Sequence, residues 1–325
     1  MNVLTQLLVV IIFMTTLLPF SQGETFVNAD LSWEQNAQKV EIGYFIQREY
    51  LDDSFFLYDI TQRTFAGLKV QNPYLITPPM AARFEPIVTS LEGYIKEQKK
   101  GIMSQCEQNP QMCSKSFEST NGISERELAT EITNASFCFG TDPFIVTSKI
   151  RQESRFDMLS VSNTGAIGLT QLTTIGLEEI LDQMGHRGER YAYIENKKFL
   201  DAAVKCFVQT ASDKTFLGFP EIKTTPTKKD GIAYTEETIK ELKAWVLPRG
   251  TQSETTPKQR KILIQRQLFL GQILLKIYLA YSKKLLKNGS MIRQYEAALR
   301  MFNGDDIRVK YAKEVLKFSR QAQTL

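Results

Sequence analysis

Residues 142–172 read DPFIVTSKIRQESRFDMLSVSNTGAIGLTQL, and this stretch restricts the fold more than any other. Asp142 stands where a helix N-cap would. Pro143 takes the first helical position, where its missing N–H costs nothing. Val146, Ile150 and Glu153 follow at i, i+4 and i+7 and so share one helix face. Val146 and Ile150 make an apolar stripe, and Glu153 lies on it. The spacing carries the carboxylate toward the core or a cleft wall, away from bulk water. The pattern then breaks at Asn163, Gly165 and Gly168 and resumes with Leu169, Leu172 and Gly176. Glycines in such a segment permit tight turns and close approach of other backbone.

Helical periodicity dominates from about residue 126 onward. Three helices are expected from Ile262. The first, ILIQRQLFLGQILLKIYLAYSKKLLKN, is apolar enough to be central. The second, SMIRQYEAALRMF, sets Tyr295, Leu299 and Phe302 on one face and ends at NGDD. The third, IRVKYAKEVLKFSRQ, repeats Tyr311, Val315 and Phe318 at helical spacing. Between roughly 207 and 262 the composition shifts to Lys, Thr, Pro and Glu. This reads as a solvated surface insertion carrying one short helix, TEETIKELKAWV. Phe207, Phe216 and Phe219 fit core packing better than a sugar-stacking platform.

Residues 24–125 read as a separate N-terminal α+β region of unknown role. QKVEIGYFIQREY is strand-like, NPYLITPP breaks structure, and 80–105 has Phe84, Ile87, Leu91 and Ile95 at helical steps. ESTNGIS reads as a loop. The expected class is therefore mainly α: a helical domain at 126–325 behind an N-terminal α+β region.

The first 23 residues, MNVLTQLLVVIIFMTTLLPFSQG, hold no charged side chain, and 3–18 is almost unbroken apolar sequence. With small residues at Ser21 and Gly23, residues 1–23 read as a signal peptide cleaved after Gly23. Left uncleaved, the segment approaches a short membrane span and would tether the chain. Either way the bulk of the chain is expected outside the cytoplasm, periplasmic or secreted. An exported chain with four cysteines invites disulfides, with three pairings open. Cys106 with Cys113 and Cys138 with Cys206 is preferred, because the Asn-Pro turn in EQNPQM brings the first two together. Four buried free thiols are the alternative.

A net charge of +4 without a Lys/Arg run gives no nucleic-acid signature. The cysteine spacing fits no common zinc pattern. The single histidine, His186, reads as a loop residue, so no metal or cofactor is expected.

A carboxyl in an apolar cleft is disfavoured in its charged form and becomes a general acid near neutral pH. Glycosidic cleavage uses such an acid to protonate the oxygen between two sugars. The plainer reading is a glutamate that pairs with a nearby lysine or arginine.

IRQESRF followed by SVSNTGAIGLTQL resembles the catalytic segment of the lysozyme-like lytic transglycosylases, which cleave peptidoglycan. The matching positions are Glu153, Ser154, Phe156, Ser162, Gly165, Ala166, Gly168, Leu169 and Gln171. QLFLG resembles the family's Asn-Ile-x-x-Gly helix, with Gln267 in place of asparagine. YEAALRMFNG resembles its helix ending in Tyr-Asn, with Phe302 replacing tyrosine and Asn303 kept. KYAKEV resembles its terminal Tyr-Val step, with Tyr311 kept. Thr170 stands where the family often has methionine. The likeness covers about 130–206 and 262–320.

The resemblance implies a lysozyme-like α-helical catalytic domain acting on peptidoglycan glycan strands without metal or cofactor. It implies that Glu153 serves first as acid and then as base, giving a 1,6-anhydromuramic product. Ser162, Gln171 and Asn303 are the implied sugar or positioning contacts, and Tyr311 hydrogen-bonds to Glu153 or lines the cleft. Asp157, the nearest second carboxylate, is expected to shape the turn. Two other readings stay open: a hydrolase resembling goose-type lysozyme, and a non-catalytic wall-binding or scaffold protein on the same fold.

Overall fold

The computed structural model describes residues 58–59, 64–65, 68–69, 78–110, 123–184, 206–207, 231–247, 256–286, 290–302 and 307–324. These residues are mainly α-helical. Three two-residue strands, β1 (Tyr58–Asp59), β2 (Thr64–Phe65) and β3 (Leu68–Lys69), form an antiparallel meander. Tyr58 pairs with Phe65, and Thr64 pairs with Lys69. The helices that follow are α1 (Pro78–Gln108), α2 (Glu125–Phe139), α3 (Pro143–Ser154), α4 (Thr174–Met184), α5 (Gly231–Val246), α6 (Pro257–Leu285), α7 (Met291–Phe302) and α8 (Ile307–Thr324). Residues 1–23, expected to be a signal peptide, and the expected strand-like stretch at 38–50 lie outside the described residues.

Each well-defined start follows from local chemistry. Ser124 caps α2 through a capping box: its hydroxyl accepts from Glu127 N–H while the Glu127 carboxylate accepts from Ser124 N–H. Asp142 caps α3, its Oδ1 accepting from Phe144 N–H at 2.9 Å and Ile145 N–H at 3.1 Å. Thr256 and Gln259 repeat the capping box at α6, with Pro257 at the first position. Gly140, at φ 60, closes α2 in the left-handed conformation and sends the chain straight into α3.

Helix α6 is the axis of the body and touches α2, α4, α5 and α7. It is long and apolar enough to cross a membrane, yet 89% of its most apolar window is buried against these neighbours. Its central place agrees with the sequence reading, though it starts at Pro257 and not at 262. Around Phe269 gather Phe139, Phe207 and Trp245, with ring centroids 5.6 to 6.5 Å apart. Phe207 is thus a core residue; Phe216 and Phe219 lie outside the described residues.

Two boundaries differ from the sequence reading. Helix α1, assigned there to a separate N-terminal region, packs against α2, α3 and α8. Its Ile87, Leu91, Tyr94 and Ile95 are buried, so α1 is part of the helical body. In the described residues the α+β region thus reduces to the small meander. The helix of the 207–262 insertion is likewise no solvated elaboration. It runs from Gly231, contacts α4 and α6, and buries Ile239, Leu242, Trp245 and Val246. Its apolar spacing is real but sits inside a Lys- and Glu-rich stretch, which masked it.

Cys138 and Cys206 form a disulfide with their Cα atoms 5.5 Å apart, which is the preferred pairing. The bond spans 68 positions, and chain-entropy arguments give a closure of that size roughly 4 kcal/mol. Cys106 is also disulfide-bonded, and its expected partner Cys113 lies outside the described residues.

Candidate active site

Helix α3 delivers Glu153 to the site, and its face is as the spacing predicts. Val146 and Ile150 are buried, and the Glu153 side chain is 19% exposed. The helix then stops abruptly. Arg155 (φ 54) and Phe156 (φ 66) both adopt left-handed backbone, as does Gln171 (φ 47) farther on. These are the non-glycine residues at positive φ among those described, and all follow Glu153 within eighteen positions. Such conformations cost about 1–3 kcal/mol each and persist where surrounding structure holds them.

The segment from Ser160 to Leu172 is a tight double turn. Ile167 bridges both Val161 and Leu172, and Gly168 N–H donates to Ser160 C=O at 2.8 Å. Ser162 Oγ accepts from Ala166 N–H at 2.9 Å and lies 2.9 Å from Thr164 Oγ1. Gln171 Nε2 donates to Gly168 C=O at 2.8 Å and Ser160 C=O at 3.3 Å. Both side chains therefore hold the turn itself.

Helix α6 seats this turn through two residues of the QLFLG stretch. Gln267, fully buried, accepts from Leu169 N–H through Oε1 at 2.7 Å and donates to Met158 C=O through Nε2 at 3.0 Å. A Cβ on Gly168 would stand 2.5 Å from the Gln267 side chain, and one on Gly271 would stand 2.6 Å from Thr170. Each glycine thus lets the two elements approach closely.

From the other side α7 and α8 close in. The Tyr295 hydroxyl accepts from Asp142 N–H at 2.9 Å, tying α7 to the start of α3. The Tyr311 hydroxyl donates to Glu153 Oε1 at 2.5 Å. Lys149, one turn before Glu153, places Nζ 3.7 Å from the same oxygen. That ammonium also donates to Thr170 C=O at 3.2 Å and lies 4.0 Å from the centre of the Phe302 ring. Oε1 is therefore anchored twice. Oε2 makes no hydrogen bond among the described residues.

Burial pushes the pKa of Tyr311 well above its ordinary value, and the Glu153 charge adds to this. Tyr311 is thus a neutral donor across the physiological range. Burial pulls the Lys149 ammonium below the usual lysine range while the Glu153 carboxylate pushes it back up.

Of the five residues singled out from sequence, the structure brings Glu153 and Tyr311 together. Ser162 and Gln171 lie on the adjoining turn, and Asn303 lies outside the described residues. The purely apolar cleft expected around Glu153 is not what surrounds it: a buried lysine and a tyrosine hydroxyl do. The plainer reading, a glutamate paired with a nearby lysine or arginine, is met by Lys149, which the sequence reading did not name although its i, i+4 spacing to Glu153 is legible; lysines on helices ordinarily reach water. Asp157 is buried, and its Oδ1 accepts from Leu159 N–H at 2.9 Å, so it shapes the turn.

A groove of about 790 Å³ opens beside the turn, between α4 and α5, lined by Ile167, Thr174, Ile239, Lys243 and Leu247 among others. Glu153 and Tyr311 do not line it. No cluster of three or more His, Cys, Asp or Glu suited to a metal ion occurs among the described residues. Compared with family models, with curated proteins and with solved structures, the chain finds no match in any of the three.

Proposed function

We propose that the chain is a peptidoglycan lytic transglycosylase with a lysozyme-like helical body and Glu153 as its acid and base. One observation carries the reading. The first and last of the segments that resemble that family, IRQESRF and KYAKEV, come together at one carboxylate, with the Tyr311 hydroxyl 2.5 Å from Glu153 Oε1.

The chemistry needs only groups already placed. Glu153 gives a proton from Oε2 to the oxygen linking muramic acid to the next sugar, and the C1–O bond breaks. The acetamido oxygen of the muramic residue stabilises the positive charge left at C1. Glu153, now a carboxylate, takes the proton of the C6 hydroxyl as O6 bonds to C1. The product carries a 1,6-anhydro ring, and the glutamate ends protonated as it began. General acid–base assistance of this kind contributes about 10²–10⁴-fold. Asp157 is committed to the turn, which leaves the two-carboxylate hydrolytic route without its second carboxylate at that position. The Cys138–Cys206 bond fits a chain that works in an oxidising compartment, hence periplasmic or secreted.

The test is mass spectrometry of purified peptidoglycan digested with wild type and with Glu153→Gln. Anhydromuropeptides from wild type alone are the expected result. Reducing-end muropeptides of hydrated mass would replace this reading with a goose-type-like hydrolase. Binding without release of fragments would replace it with a wall-binding protein.

A further inference from the structure

We propose that Lys149 is a positioning residue that holds Glu153 Oε1 and balances the negative charge left when Glu153 gives up its proton, with Phe302 holding the ammonium in place. The proposal rests on the reading of Glu153 as the acid. Its geometry does not.

The argument starts from a placement that folding alone does not favour. The Lys149 side chain is 3% exposed. Burying an ammonium is expensive unless it is paired and hydrogen-bonded, and a buried ion pair is weak evidence for stability, since an apolar side chain of similar volume often serves as well. Methionine has the same unbranched reach without the charge. The ammonium has three partners: Glu153 Oε1 at 3.7 Å, Thr170 C=O at 3.2 Å and the Phe302 ring at 4.0 Å. The last two position the cation, and the first is the acid.

Each partner comes from a different element. Glu153 is on α3 itself, Thr170 on the glycine turn, and Phe302 at the end of α7. Phe302 is in turn fixed by Tyr278 of α6, ring against ring at 4.8 Å in an edge-on contact. Among the described residues, few charged or titratable groups lie around Glu153. Lys149 lies on its own helix and Tyr311 on α8. Glu314, one turn past Tyr311, is held by Gln152 Nε2 at 2.8 Å. Asp157, just beyond the helix end, is turned into its own loop.

Proton transfer to the glycosidic oxygen leaves one negative charge on Glu153 in a cleft that the sugars have emptied of water. Tyr311 answers it with a hydrogen bond and Lys149 with a full charge. No proton leaves Lys149 in this step: Glu153 O–H breaks, the sugar O–H forms, and the ammonium stays as it was. The ammonium 3.7 Å from Oε1 opposes the negative charge that proton transfer leaves there.

The experiment follows Glu153 directly. With glutamate labelled at the carboxyl carbon, the resonance lost in Glu153→Gln identifies Glu153. Its pH titration is then compared in wild type, Lys149→Met, Lys149→Arg and Phe302→Leu. The rate of anhydromuropeptide release is measured over the same pH range. In Lys149→Met the carbon is expected to titrate at least one pH unit higher, and the alkaline limb of the rate profile to move with it. Phe302→Leu should shift both the same way by less, and Lys149→Arg should keep the wild-type profile. An unmoved carbon titration in a folded Lys149→Met overturns the proposal. A moved titration with an unmoved rate profile overturns its catalytic part. If Lys149→Met does not fold, an unmoved carbon titration in Phe302→Leu overturns the proposal. If wild type releases no anhydro product, the functional reading fails by itself, while the carbon titration still decides whether Lys149 balances the charge.

Discussion

Tyr311 donates its phenolic hydrogen to Glu153 Oε1 over 2.5 Å, joining residues 158 positions apart in the chain. The contact holds Oε1 and leaves Oε2 unengaged by Tyr311. It also couples α8, the last helix, to the end of α3, which it packs against.

Tyr311→Phe keeps the ring and removes this one bond. Hydrogen bonds to charged groups are worth about 1.5–3 kcal/mol, so on the proposed reaction the rate of glycan cleavage should fall roughly ten- to a hundredfold. Strand binding should be unchanged, because the hydroxyl faces the acid. Turnover and melting temperature measured on the same preparation check this. A loss of activity matched by a large loss of stability would mean that Tyr311 mainly holds α8 in place.

The two glycines of the turn make separable predictions. Gly165 (φ +80) and Gly168 (φ +73) both hold left-handed backbone, where alanine is disfavoured by about 1–2 kcal/mol. A Cβ on Gly165 meets nothing within 4 Å, so Gly165→Ala should cost about that and no more. A Cβ on Gly168 would collide with Gln267 at 2.5 Å. Gln267 must then move, stranding Leu169 N–H and Met158 C=O in the interior at about 1–3 kcal/mol each. Denaturant unfolding should therefore place Gly168→Ala well below Gly165→Ala. Equal losses would mean that the turn is not locked to α6.

The sequence made some of this visible and hid the rest for physical reasons. The start of α3 was legible because Asp142 and Pro143 are local signals that need no tertiary partner. The burial face of α3 was legible because its period is regular. The surroundings of Glu153 were only half legible. Tyr311 could be named only through the resemblance, since no local pattern links positions so far apart. Lys149 was hidden because burying an ammonium depends on Thr170 and Phe302, which arrive from other elements. The sequence reads Ser162 and Gln171 as sugar contacts or as groups that orient Glu153; the hydrogen bonds they make among the described residues lie within the turn, which spacing alone does not reveal. The packing of α1 onto α2 and α8 was obscured by the poorly patterned sequence before it.

Alkaline stability gives a prediction that does not depend on the proposed reaction. Tyr94 on α1 is fully buried, and that burial raises its pKa from 10.0 to about 12, with Arg151 nearby pulling the other way. A tyrosine whose folded pKa lies above its unfolded value stabilises the fold fully below pH 10, and that contribution is lost as pH rises toward 12. The shift corresponds to roughly 3 kcal/mol at most. Tyr311 is raised in the same direction by its own burial and by Glu153, so it adds to the same loss. Urea unfolding from pH 8 to 12 should show a flat region and then a decline beginning near pH 10. Tyr94→Phe should lessen the decline and leave the flat region close to wild type, since a phenylalanine ring fills the same site. The double change Tyr94→Phe with Tyr311→Phe should lessen it further. A decline of undiminished slope in the double variant would assign the alkaline loss to other groups and would mean that neither phenol is held neutral by the core.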